Sequence, residues 1–261
     1  MKQAYVRRDD RGVYLCDASA LDWQTSGKGG IMLRPVRFDG ERGEFLGLVG
    51  FEPMVRSGTH QHQDVATSYF IDGSLTDYQG QGAKGEVGIN LRGATHDAIA
   101  YCRTLLVSRL DGPVSYLPEE GPVFELHAGA RAERFENPDP DAPADLMVHP
   151  DQVAVAGTGV AGVGRRMLFD YAGTGEQRRF VQLMLRPGAV VPRLRVSART
   201  EFWVQAGIVD IDGRLAHGNH FGILEPGTET GLTSRFGARL LVWADGPSVW
   251  VDREGPELFG F

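Results

Sequence analysis

Shifted by 134 residues, the chain falls on itself at three separated places. "TSYFIDGSL" (67–75) lies over "EFWVQAGIV" (201–209), "LRGATHDAI" (91–99) over "EPGTETGLT" (225–233), and "LDGPVSY" (110–116) over "ADGPSVW" (244–250). Gly73 then coincides with Gly207, Gly93 with Gly227, and one Asp-Gly-Pro turn with the other. Turn glycines and aromatic positions that recur at one offset mark a duplicated domain, because the period is far too long for a solenoid unit. Whatever fold the chain adopts must be one that 261 residues can build twice.

The repeated unit reads as β-structure. Runs such as "SYFIDGSL", "EVGINL", "RRFVQLMLRPG" and "ARLLVWADG" are strand-length, rich in β-branched and aromatic residues, and bounded by turn residues. The 35 glycines and 14 prolines are spread along the whole chain as punctuation. Sustained 3.6-residue periodicity is scarce; "THDAIAYCRTLLVSRL" passes as a short helix, but its end runs into the turn signal "DGP". The fold class is therefore all-β. The acidic, proline-rich stretch "RAERFENPDPDAPADLMVHPD" (131–151) reads as a linker. The organisation expected is a first domain over 1–132, a linker over 133–151 and a second domain over 152–261.

Charge and targeting signals narrow the partners. A net charge of −7, with arginine pairs scattered at 7–8, 165–166 and 178–179, argues against a nucleic-acid surface. These pairs read as solvated faces. The opening "MKQAYVRRDDRGVYLC" lacks the apolar core of a signal peptide, and no apolar run is long enough to span a membrane. Cys16 and Cys102 have no metal-type spacing, so reduced thiols in a cytoplasm are expected. A homodimer is compatible with exposed sheet edges and many aromatics.

"GTHQHQD" places His60 and His62 one residue apart in a strand-like stretch, and alternate strand residues face the same way. Two neutral imidazoles on one face begin a metal site and require a third ligand from another strand. An exposed pair at a turn is the competing reading. "KGEVGINLRGATHD" supplies His96 just after a glycine turn.

These stretches resemble the cupin family. Gly85, Gly93 and His96 fit its second motif, with Leu91 where a proline is usual. His60, His62 and Gly73 fit the first motif; Met54 stands at its leading glycine, and its glutamate would fall near Ala66, where no carboxylate sits. The resemblance covers most of 30–118 and, more loosely, 165–250. It implies two tandem double-stranded β-helix barrels, a bicupin, with His60, His62 and His96 lining the first. A three-histidine set without the glutamate resembles cupins that cleave β-diketones or hydroxyaryl ketones, and phrases such as "YFIDGSLTDYQG" also resemble the cupin of anti-sigma regulators. Fe(II) is the metal this implies, with Zn, Mn or Ni as alternatives, and a small carbonyl compound is the substrate class. Redox-inert Lewis-acid chemistry, or a metal-dependent sensor without turnover, are the other readings.

Asn90 precedes His96 by six residues, and strand alternation aims it at the same cavity or into the core. Glu86 is a candidate acid/base or ligand, or else a solvent-facing residue at the strand start. Asp64 could add a carboxylate or lie in a loop, and Tyr69 and Phe70 are expected to pack. In the second copy the histidine positions fall on Leu194, Val196 and Thr230, so no such triad can form there. A one-residue slip would put Arg193 and Arg195 at the H-x-H positions, so that copy is expected to be structural, with those arginines on its surface, or to hold an anionic ligand through them. His217 and His220 in "AHGNHFG" have a spacing suited to a helix, but the segment reads as a turn into a strand; His127 and His149 stand alone. "AGTGVAGVG" satisfies G-x-G-x-x-G at Gly157, Gly159 and Gly162, yet strand-turn-strand follows it and no helix, so it reads as a loop.

Overall fold

The structure is a computed structural model that describes residues 12–77, 80–116 and 145–261. Apart from three short 3₁₀ turns, the described elements are strands. They fall into two compact units, one holding Leu21–His149 and the other holding 12–20 with Pro150–Phe261.

In the first unit a seven-stranded antiparallel sheet runs in the order Asp145–Val148, Val87–Asn90, Ala66–Asp72, Thr104–Leu110, Glu44–Phe51, Ile31–Asp39, Gln24–Thr25. Two small sheets complete the barrel. One is Thr95–His96, His60–His62, Val114–Tyr116, and the other is Val55–Arg56, Ile99–Ala100, Ser74–Thr76, Gln81–Ala83. The stretch that could pass as a helix, 95–110, is three strands. In the second unit eleven strands form one sheet.

The duplication is visible residue by residue. His60 pairs with His96 and with Tyr116; Leu194, 134 residues on, pairs with Thr230 and with Trp250. A bulge leaves Ile71 as an extra residue opposite Leu105 and Leu106, and Gln205 is extra opposite Arg239 and Leu240. Just past each bulge sits a glycine in the left-handed region, Gly73 at φ 74° and Gly207 at φ 82°. A Cβ on Gly73 would come within 2.4 Å of the Arg103 carbonyl oxygen, and one on Gly207 within 2.1 Å of the Gly237 carbonyl oxygen. Both the backbone conformation and the close approach therefore require glycine.

Two details depart from the expected boundaries. Val13–Asp17, placed in the first domain by sequence, pairs with His220–Leu224 of the second unit. Asp145–Val148, placed in the linker, is a strand that pairs with Val87–Asn90. Each barrel completes its sheet with a strand from beyond its own repeat. Backbone pairing with a distant strand decides this, and local composition does not register it. Residues 133–144 of the linker, His127, and the arginines at 7 and 8 lie outside the described residues.

The second barrel is filled. Along Ala189–Val196, Ala189, Val191, Leu194 and Val196 point into a core that includes Val181, Leu183, Phe202 and Leu240. Arg193 and Arg195 alternate outward and pair with Asp212 and Glu229, as expected of surface residues. Arg165 and Arg179 do more than face solvent: Arg165 donates to the carbonyls of Glu257 and Leu258, and Arg179 to that of Gly260. Cys16 and Cys102 are both free, and burial, followed by the neighbouring Asp17 charge, pushes the Cys16 thiol up to about 11. Among the described residues no helix is long and apolar enough to cross a membrane.

Candidate metal centre

The strand His60–His62 is buried at all three positions. Its two imidazoles share a face, and His96 lies directly opposite His60 on the antiparallel neighbour. The turn between Asn90 and Thr95 sets that register: Gly93, at φ 90°, donates to the His62 carbonyl, while the His62 N–H donates to Ala94. Gly93 thus has a steric task, and Leu91 in the place of the usual proline leaves the turn intact.

The three rings converge. His96 Nε2 lies 3.0 Å from His60 Nε2 and 3.2 Å from His62 Nε2. Metal–nitrogen bonds of about 2.0–2.1 Å separate their nitrogens by roughly 2.9 Å at a right angle and roughly 3.4 Å at the tetrahedral angle. The observed spacing fits a first-row divalent metal without rearrangement. His60 Nδ1 is 2.7 Å from the Gly58 carbonyl, which can only accept, so the proton sits on Nδ1 and Nε2 presents its lone pair inward. His96 Nδ1 lies 3.4 Å from Asp77, an outer carboxylate that fixes the ring in the same sense. Facing lone pairs at this distance repel unless a cation lies between them.

Burial keeps the ligands in the binding form. It is the main cause of His60's drop to about 3, with His96 and Lys28 adding to it. His62 is held well below the ordinary range by burial first and by His96 and His60 next. Both imidazoles are neutral at pH 7, which is the state a metal requires.

Around the triad lies a cavity of about 540 Å³. Its walls are mainly apolar, including Phe38, Phe45, Phe51, Phe70, Leu106 and Leu146. Besides the histidines, the polar groups on its wall include Asn90, Ser68, Ser108, Asp77, Lys28 and Tyr116. Lys28 Nζ sits 3.5 Å from the Tyr116 ring centroid and donates to the Ser57 carbonyl. Asp97 braces the loop that presents Gly58, accepting from the Gly58 N–H and pairing with Arg56.

The residues expected from sequence separate here. His60, His62, His96 and Asn90 face one cavity, and Phe70 forms part of its wall. Glu86 does not line it; its Oε2 accepts from the Ala83 N–H and closes the turn into the Val87–Asn90 strand. Asp64 likewise stays outside, accepting from the Val65 N–H beside the Gly112 turn. Met54 adopts φ 65°, so the family's leading glycine position keeps its left-handed backbone although the glycine is gone. Asp77, Lys28, Tyr116 and Asp97 were missed. Only Tyr116 had a trace in the sequence, as the aromatic counterpart of Trp250.

Asp77→Asn should weaken metal binding about 10–100-fold, because the second partner of a ligating histidine is worth that much. Competitive titration against a chromophoric chelator measures it, and an unchanged affinity would remove Asp77 from the site.

The fold and this site define a cupin-type metal barrel with a filled second copy. Residues 11–115 match the family described as the ChrR cupin-like domain. A candidate dioxygenase from Nostoc punctiforme superposes with a TM-score of 0.73 at 11% identity, over 97% of this chain and 88% of that one. A variant of oxalate decarboxylase from Bacillus subtilis gives 0.60 at 11% identity, over 91% and 79%. Another structure of that decarboxylase, concerned with its Mn(II) centres, gives 0.59 at 11%, over 91% and 79%. No curated protein sequence matches this chain. Residues 11–115 thus match a cupin-like family, and the chain as a whole has the fold of a bicupin, two tandem cupin-type barrels.

Proposed function

We propose that the first barrel is an Fe(II)-dependent dioxygenase site that cleaves a C–C bond in a small dicarbonyl or hydroxyketone with apolar substituents. One observation carries this reading: the converging ligand group is three imidazoles with no carboxylate among them, and it opens onto a largely apolar cavity. Bound iron would supply Lewis-acid polarisation of the carbonyls and a place for O2. Dioxygen is the oxidant, and both of its atoms enter the two cleavage products.

The chain's own groups do the rest. His60, His62 and His96 hold the metal as neutral ligands. The Gly58 carbonyl and Asp77 hold the first and third rings in the binding tautomer. The phenylalanine-rich wall takes the apolar arms of the substrate and excludes water, which strengthens every polar contact inside. Lys28 places a cation on the cavity wall and balances the charge of an enolised substrate. Asn90 offers an amide to a substrate oxygen.

A second reading is a ligand sensor without turnover, favoured by the match of residues 11–115 to the ChrR cupin-like domain. A third is non-oxidative chemistry on Mn or Zn, suggested by the Mn(II) centres of the decarboxylase that shares the fold. Oxygen-electrode measurements on Fe(II)-reconstituted protein with aryl and alkyl β-diketones separate the three. The expected result is substrate-dependent O2 uptake, one O2 per molecule cleaved. Tight binding with no uptake would favour the sensor, and turnover by Mn- or Zn-loaded protein without O2 would favour the third reading.

A further inference from the structure

A second group of possible ligands lies in the C-terminal barrel. His217 ends the strand Arg214–His217 and His220 begins His220–Leu224, with the turn Gly218-Asn219 between them. Their rings stand edge to face with centroids 4.0 Å apart. Asp17 is the register partner of His220 on the strand Val13–Asp17, and opposite residues of an antiparallel pair share a face. One ligand atom from each of the three lies within 4.8 Å of the other two.

The local bonding leaves donor atoms for a cation. His217 Nδ1 lies 3.2 Å from the Gly218 carbonyl, so as donor it leaves Nε2 with its lone pair. His220 Nδ1 is shielded from solvent and faces the His217 and Gly218 backbone without reaching hydrogen-bond geometry. Asp17 spends Oδ1 on the Ser19 N–H and hydroxyl at 2.8 and 2.6 Å, with Oδ2 outside those bonds. The turn is held from two sides: the Asn219 N–H donates to Val204, and its carbonyl accepts from Ala18. Asn219 takes φ 76°, which asparagine tolerates better than most residues. The two rings are therefore presented by a braced turn and the carboxylate by a strand bonded to it.

We propose that Asp17, His217 and His220 form a second metal site, which takes Zn(II) or a similar borderline divalent cation and pins the strand Val13–Asp17 to the barrel. Two imidazoles and one carboxylate suit zinc, with water completing four-coordination, and do not suit Ca²⁺ or Mg²⁺. The pinned strand comes from the start of the chain, so the cation would tie residues about 200 apart in sequence and close a long loop. The site is independent of the triad in the first barrel and of the reaction assigned there.

Zinc titration by calorimetry, with hydrogen exchange read at Val13–Asp17, tests this on the full chain. Wild type should take two zinc ions, His62→Ala one, and His217→Ala/His220→Ala one. Asp17→Asn, which keeps the strand's shape, should weaken the second event about tenfold or more. Zinc should slow exchange at 13–17 in wild type and in His62→Ala but not in the double variant. A His62→Ala protein that takes no zinc at micromolar concentrations, or a double variant that still takes two, overturns the site. Loss of the second ion with unchanged exchange at 13–17 overturns the pinning.

Discussion

His62→Ala is expected to strip the first barrel of its metal while leaving the protein folded. The imidazole is one of three converging ligands, so its loss should exceed the ~10–100-fold penalty of removing an outer partner. The truncated side chain faces an existing cavity and not a packed interior, so stability of the metal-free protein should change by less than about 1 kcal/mol. Elemental analysis of tag-free protein and a urea unfolding curve read the two effects. A metal content near wild type in the variant would mean that the three rings are not the binding site. A large loss of stability without metal would mean that the histidines are structural.

Leu194→Ala probes the other copy at the position equivalent to His60, beside Val196, the counterpart of His62, and here the expected loss is of stability and not of metal. Leu194 is 1% exposed and sits in the filled core of the second barrel. Truncation should cost about 2–5 kcal/mol, the range for a buried leucine that leaves a cavity. Arg195→Ala, one residue away and facing water, should cost about 0–1 kcal/mol, since exposed ion pairs contribute little. Urea midpoints compare the two variants. Equal effects would contradict the inward and outward alternation along Ala189–Val196. Together with His62→Ala, the experiment tests how the two copies differ: one places polar groups around an open cavity, and the other has packed apolar side chains at the equivalent positions.

Much of this protein was legible in its sequence because the signals were local. Short β-rich runs between glycines and prolines gave the fold class, since turn residues act through their own φ and ψ. Gly73 and Gly207 betrayed the duplication because one steric demand, a bulge followed by a close carbonyl, occurs in both copies. Strand alternation put His60 and His62 on one face, and the resemblance of the stretch 85–96 to a cupin motif supplied His96 as their third partner. The lack of a triad in the second copy could be read from Leu194, Val196 and Thr230.

What the sequence could not determine depends on pairing between distant segments. Nothing near Val13 says that its strand completes the second barrel, and nothing near Asp145 says that its strand completes the first. Backbone hydrogen bonds carry no side-chain signature. Glu86 was a plausible acid until the turn claimed its carboxylate for the Ala83 N–H. His217 and His220 looked wasted on a turn until Asp17 arrived from the far end of the chain. The sequence alone determined the all-β class and the duplication, from strand and turn signals that recur at one offset, and through the resemblance of two short motifs it pointed to the barrels and the three-histidine set. Only the tertiary structure decided which strands close each barrel, which carboxylate steadies His96, and how apolar the cavity is, because each depends on residues brought together by folding.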